Sequence, residues 1–133
     1  MLREMRQHVR DLLAPVKTAT LSTTGPAGIQ AHPFPCEPSD IHLFLLLPEV
    51  SDHLLNLEFD PTAVASTNLW VLRGAGHVLP LSAAPKGLLL PHAEAAADCV
   101  LLEIIPAQMQ VYRPDGWGFM ETIDIDPDIE PDL

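Results

Sequence analysis

Positive charge is scarce in this sequence. Its 133 residues carry 7 lysines and arginines against 18 aspartates and glutamates, a formal net charge of −11. Binding to a phosphate backbone depends on clustered Lys and Arg, so nucleic acid is excluded as the expected partner. Cysteine is scarcer still: Cys36 and Cys99 are the whole complement, with no CxxC spacing. That rules out a zinc ribbon or a disulfide framework and leaves two reduced thiols packed as small hydrophobes. The histidines never stand at HxH or HxxxH spacing, so no metal or haem site built from sequence neighbours is expected. No Ser/His/Asp or Cys/His arrangement carries the local signature of a nucleophile, and no catalytic side chain is assigned. Long hydrophobic runs are missing too. The longest, Leu43 to Leu47, falls far below the roughly 20 residues that cross a bilayer. Arg3, Arg6 and Arg10 alternate with Leu2, Met5 and Val9, and no separate apolar block follows, unlike a secretory leader. The expectation is a soluble, cytoplasmic protein without a membrane partner.

Apolar residues are not scarce, at 47% of the chain, enough for an ordinary packed core in a single domain. Residues 2 to 14 read as an amphipathic helix, with Leu2, Met5, Val9, Leu12 and Leu13 at helical spacing and Pro15 as the stop. Lys17 to Thr23 alternates and is rich in β-branched residues, as a strand is. Gly25-Pro26-Ala27-Gly28 is a turn into a second strand, Gln30 to Cys36. Pro33 and Pro35 confine that strand to an edge or a sharp bend, because proline cannot donate to a ladder. Ile41 to Leu47 is apolar nearly throughout, which predicts burial on both faces.

A second helix starts at Ser51, a good N-cap. Val50 before it and Leu55 at the fourth helical position have the spacing of a hydrophobic staple. Asp60-Pro61 ends it. Strands follow over Thr62 to Thr67 and Leu69 to Leu79. In the latter, Trp70, Leu72, Gly74, Gly76 and Val78 share one face, and the two glycines mark a barrel corner, a close backbone or the floor of a flat ligand. Residues 80 to 97 read as a proline-rich loop with a short helix. Cys99 to Arg113 is a long strand with a bulge or bend at Pro106, and Trp117 to Asp126 is a last extended piece. Residues 127 to 133 form an acidic, proline-spaced tail. Helix, three strands, helix, strands is the order of a mostly β barrel rather than of alternating βαβ units.

Taken in order, Ser51-Asp52-His53-Leu54-Leu55-Asn56-Leu57, Asp60-Pro61, the strand from Thr62 and Arg73-Gly74-Ala75-Gly76-His77-Val78 resemble the pyridoxamine 5'-phosphate oxidase-like split barrels that bind FMN. Glu103-Ile104-Ile105-Pro106, Trp117 and Thr122-Ile123-Asp124 are similar to that family's last strand and tail. The resemblance implies a six-stranded antiparallel split β-barrel over residues 1 to 126, a homodimer, and FMN in clefts across the subunit interface. It places His32, Pro33 and Phe34 along the ring edge and Ser51 and His53 at the phosphate. Arg73 is a further candidate anion contact, the alternative being a cross-strand ion pair. The activity implied is that of a flavin-dependent oxidoreductase acting on a small molecule. His53 stands where the family carries Lys, and the family's early second-strand Arg has no counterpart between Gly28 and Pro33. Those departures leave open a second function, a split-barrel dimer without FMN that binds another small ligand or a protein.

Overall fold

A computed structural model describes residues 2–125; the acidic tail expected over 127 to 133 lies outside them. Its elements are α1 (Leu2–Leu13), β1 (Thr18–Thr23), β2 (Gln30–Ser39), β3 (His42–Pro48), α2 (Asp52–Phe59), β4 (Thr62–Ser66), β5 (Trp70–Leu79), β6 (Cys99–Tyr112) and β7 (Phe119–Asp124). The strands run in the order β3-β2-β1-β4-β5-β6-β7, all antiparallel, and β3 also pairs with β6. That extra pairing closes six strands into the expected barrel. β7 is added outside the closure, on β6.

Alternation along each strand sends one set of side chains inward. Leu21, Leu43, Leu45, Leu47, Leu72, Leu102, Ile104 and Met109 fill the barrel, and Trp70 lies fully buried among them. Val9 and Leu13 of α1 close one part of this core. The C-terminal turn of a helix leaves carbonyls without partners, and the Trp70 indole Nε1 donates to one of them, Leu12 O, at 3.0 Å. Asp40, in the β2–β3 turn, accepts from both Arg6 and Arg10.

β3 is buried on both faces, as its apolar run predicts. Leu43, Leu45 and Leu47 face the barrel; Phe44 and Leu46 face outward into a second cluster with Leu88, Leu90, Ala96 and Leu101. The proline-rich connection supplies that cover, as three 3₁₀ turns (Leu81–Ala83, Leu90–His92, Glu94–Ala96) rather than the expected loop with a single helix. Pro80, Pro85 and Pro91 in and around those turns interrupt any longer helical ladder.

Two irregularities shape the barrel. Arg73 pairs with Gln108 while Gly74 pairs with Pro106, leaving Ala107 as an extra residue in β6. This is the bulge expected at Pro106. Opposite it, a Cβ on Gly74 would lie 2.1 Å from Ile105 O, and one on Gly76 would meet Leu102 Cδ1, Leu57 Cδ2 and Pro61 O at 3.0 to 3.3 Å. The glycines therefore serve close packing of strand on strand and of α2 on the barrel, not the floor of a ligand site. β2 changes partner midway: Gln30 to Pro35 pair with β1, and Cys36 to Ser39 pair with β3. Its first half consequently has one free edge, where the two prolines sit.

Candidate functional site

The free edge of β2 and the start of α2 face each other across an open cleft of about 460 Å³, lined by Gln30, His32, Pro33, Phe34, Pro48, Val50, Ser51, Asp52 and His53. Five of the six residues singled out from the sequence meet here. The sixth, Arg73, is on an exposed part of β5 and lines a separate recess of about 300 Å³ with Pro61, Thr62, Gly74, Ala75 and Ala107. Arg73 makes no ion pair among the described residues.

Ser51 caps α2: its Oγ accepts from the His53 backbone N–H at 3.3 Å, satisfying one of the helix's orphan donors. The expected staple does not form. Val50 is 86% exposed and Leu55 42% exposed, so neither is held by the other. The buried face of α2 is instead His53, Asn56 and Leu57, two polar residues and one apolar one. A periodicity search for apolar residues passes over such a face, because Leu54 and Leu55 outweigh it.

Burying His53 and Asn56 requires that every polar atom find a partner, and each does. Asn56 Nδ2 donates to Gly28 O at 2.9 Å and to Thr23 Oγ1 at 3.2 Å, while its Oδ1 accepts from Ala27 N at 2.9 Å. Thr23 Oγ1 lies 2.7 Å from His53 Nδ1, and His53 Nε2 lies 3.0 Å from His32 Nδ1. Asn56 and Thr23 were not singled out from the sequence. The Asn-Leu of the helix motif was the available signal for Asn56; nothing local marks Thr23.

His53 is 1% exposed. Burial pushes its pKa below the usual imidazole value, the neighbouring His32 adds to that, and Asp52 works the other way. The imidazole is held neutral, and both ring nitrogens are engaged within the protein. That differs from a side chain reaching outward to a phosphate. Phe34 packs edge-on against His53 with ring centroids 5.4 Å apart, and His32 meets the same ring at 5.1 Å and 89°. The cleft floor is thus an aromatic corner, with His32 exposed at its rim.

No lysine or arginine lines the cleft, and Asp52 is its one charged residue. The polar groups available to a ligand are the His32 ring, the Gln30 amide, Ser51 Oγ and the helix start. No group of three or more His, Cys, Asp or Glu residues among the described residues is arranged to hold a metal ion. No helix among the described residues is long and apolar enough to cross a membrane.

No protein-family model and no curated protein matches the sequence. Solved structures do match in three dimensions. A protein related to general stress protein 26, of the pyridoxinephosphate oxidase family, from Clostridium acetobutylicum aligns with a TM-score of 0.63 at 13% identity, over 94% of this chain and 96% of that one. An FAD-binding protein from Mesorhizobium loti aligns with a TM-score of 0.59 at 14% identity, over 77% and 90%. A heme-binding protein from Mycobacterium smegmatis aligns with a TM-score of 0.62 at 18% identity, over 90% of this chain and 57% of that one. At such identities the shared property is the fold. This chain has the split-barrel fold of the pyridoxamine 5'-phosphate oxidase-like proteins, the class its sequence motifs resemble.

Proposed function

We propose that this protein is a cytoplasmic, homodimeric flavin-binding split barrel, with FMN in the β2–α2 cleft and the chemistry of a flavin-dependent oxidoreductase on a small molecule. The observation that carries the reading is the convergence of His32, Pro33, Phe34, Ser51 and His53 on one cleft, built on a fold shared with a protein described as FAD-binding. Phe34, Pro33 and the exposed His32 ring offer flat contact to an aromatic ring system, and Ser51 Oγ with the α2 start offers donors to a phosphate. The flavin would carry the electrons; the protein would orient it and exclude water. Ile29, Val50 and Phe59 are 84%, 86% and 71% exposed, apolar surface of the kind a second copy covers. In such a dimer Arg73 of the second copy is the candidate cation for the phosphate.

The absence of any lysine or arginine from the cleft wall, with Asp52 beside Ser51, favours a second reading: a split-barrel dimer that holds a ligand without a phosphate. Titration with FMN and with riboflavin separates the two. Under the first reading FMN binds at low micromolar concentration and more tightly than riboflavin. Equal affinity for both would remove the phosphate seat, and failure of both to bind at tens of micromolar would remove the flavin.

A further inference from the structure

The buried polar chain behind the cleft has a direction, and backbone atoms set it. Ala27 N–H can only donate and Gly28 O can only accept, so Asn56 must present Oδ1 to the first and Nδ2 to the second. The usual ambiguity of an amide flip does not arise here. The remaining Nδ2 hydrogen goes to Thr23 Oγ1. The Thr23 hydroxyl proton then has one acceptor among the described residues, His53 Nδ1 at 2.7 Å. A neutral imidazole whose Nδ1 accepts carries its proton on Nε2, and His53 Nε2–H therefore donates to His32 Nδ1 at 3.0 Å. By the same rule neutral His32 carries its proton on Nε2. That nitrogen has no partner among the described residues, and His32 is exposed at the rim of the cleft.

We propose that Asn56, Thr23 and His53 form a directional hydrogen-bond relay that fixes the tautomer of His32, so that the cleft presents an N–H donor and selects ligands with a hydrogen-bond acceptor on the ring edge that meets β2. Asn56, Thr23 and His53 are positioning residues; His32 is the ligand contact. The relay also accounts for a histidine at position 53. An aliphatic ammonium offers donors only and could not accept the Thr23 hydroxyl proton. The ligand class is a flat heteroaromatic with a carbonyl or an unprotonated ring nitrogen at its edge. Reversal of the relay would leave the Thr23 hydroxyl proton without an acceptor in a site where Thr23 is 3% exposed, which disfavours it.

Long-range proton–nitrogen correlation spectra of the full-length protein, labelled with ¹⁵N-histidine and recorded at neutral pH without ligand, read the tautomers directly. His32 and His53 are assigned by the signals lost in H32Q and H53Q. The expected result is the Nε2–H tautomer at both residues. Thr23→Ser retains it, and Thr23→Val loses the preference at His53 and at His32, whose ring hydrogen-bonds to His53 alone among the described residues. An Nδ1–H tautomer at either residue in the wild-type protein overturns the relay. The ligand arm uses FMN as its probe and rests on the flavin reading above: His32→Phe, which keeps a ring but no donor, weakens FMN about five-fold, the worth of one neutral hydrogen bond, while His32→Gln stays within about two-fold. Equal affinity of His32→Phe and wild type overturns the contact. If FMN does not bind at all, the flavin reading falls, and the tautomer spectrum still decides the relay.

Discussion

Asn56 Nδ2 donates to Gly28 O at 2.9 Å across 28 residues of sequence, and the neighbouring Ala27 N–H returns a bond to Asn56 Oδ1. A single side chain on α2 thereby closes the turn between β1 and β2, the turn that launches the cleft-lining strand. Even Gly25 is part of the fit, since a Cβ there would lie 2.8 Å from Asn56 Oδ1.

Replacement of Asn56 by Ala is expected to cost about 3 kcal/mol, roughly 1 kcal/mol for each of its three side-chain bonds. It should also loosen residues 24 to 32. Chemical denaturation measures the first effect, and faster amide exchange confined to the turn and β2 measures the second. A loss below about 0.5 kcal/mol would show that the turn stands without Asn56.

Trp70 ties α1 to the barrel through Leu12 O. Trp70→Phe keeps most of the buried ring and deletes the donor, so a loss of about 1–2 kcal/mol is expected from the unpaired carbonyl together with the smaller ring. Trp70→Ala should cost about 3–5 kcal/mol, the range for emptying a large core site. Urea melts with unchanged slopes would measure both.

At Gly74 the constraint is backbone contact. A methyl group 2.1 Å from Ile105 O cannot be accommodated without parting β5 from β6 at the bulge. Gly74→Ala should destabilise by more than about 4 kcal/mol, well beyond ordinary propensity effects. Gly28→Asn, at an exposed turn with φ of +83° and open space around it, should cost well under about 1 kcal/mol, because Asn tolerates the left-handed region. Parallel thermal melts of the two variants compare them.

His53 predicts a pH dependence of stability. Its folded pKa lies below its ordinary value of 6.5 because of burial and of His32, partly offset by Asp52. Between those two values the unfolded chain binds a proton that the folded one does not, so stability rises with pH in that window. The contribution is fully present above 6.5 and is lost as pH falls toward the folded value. Melting temperatures of wild type and His53→Gln between pH 8 and pH 5 should show a steeper acid-side fall in the wild type. Parallel curves would remove His53 as the source.

The two thiols should differ in reactivity. Burial pushes the Cys36 thiol up to about 11 and leaves it 3% exposed. Cys99 is half-buried, and its thiol is raised chiefly by burial and then by Asp98 and Glu49. A disulfide-exchange reagent at pH 8 should titrate Cys99 slowly in the native protein and reach Cys36 only on unfolding.

Much of the fold was legible in the sequence because its signals are local. Pro15 stops α1, Ser51 caps α2, Pro33 and Pro35 keep half of β2 at a free edge, and the apolar run of β3 calls for cover on both faces. The motif order from Ser51 to Val78 resembles the split barrels, and the barrel closure agrees with it. Five of the residues lining the cleft, His32, Pro33, Phe34, Ser51 and His53, were picked out from the sequence, since the edge of β2 and the start of α2 carry their own markers.

Tertiary structure decided what those residues do. The sequence motif sets His53 at a helix start, toward a phosphate, and only the packing of α2 on β1 brings it within 2.7 Å of Thr23 and buries it. The glycines of β5 are compatible with a ligand, a corner or a close backbone until the pairing register sets Gly74 against Ile105 O. Sequence patterns report which face of an element is apolar. Which polar atoms are sealed inside, and in which direction their protons must point, depends on partners some thirty residues away and is settled only when the barrel closes.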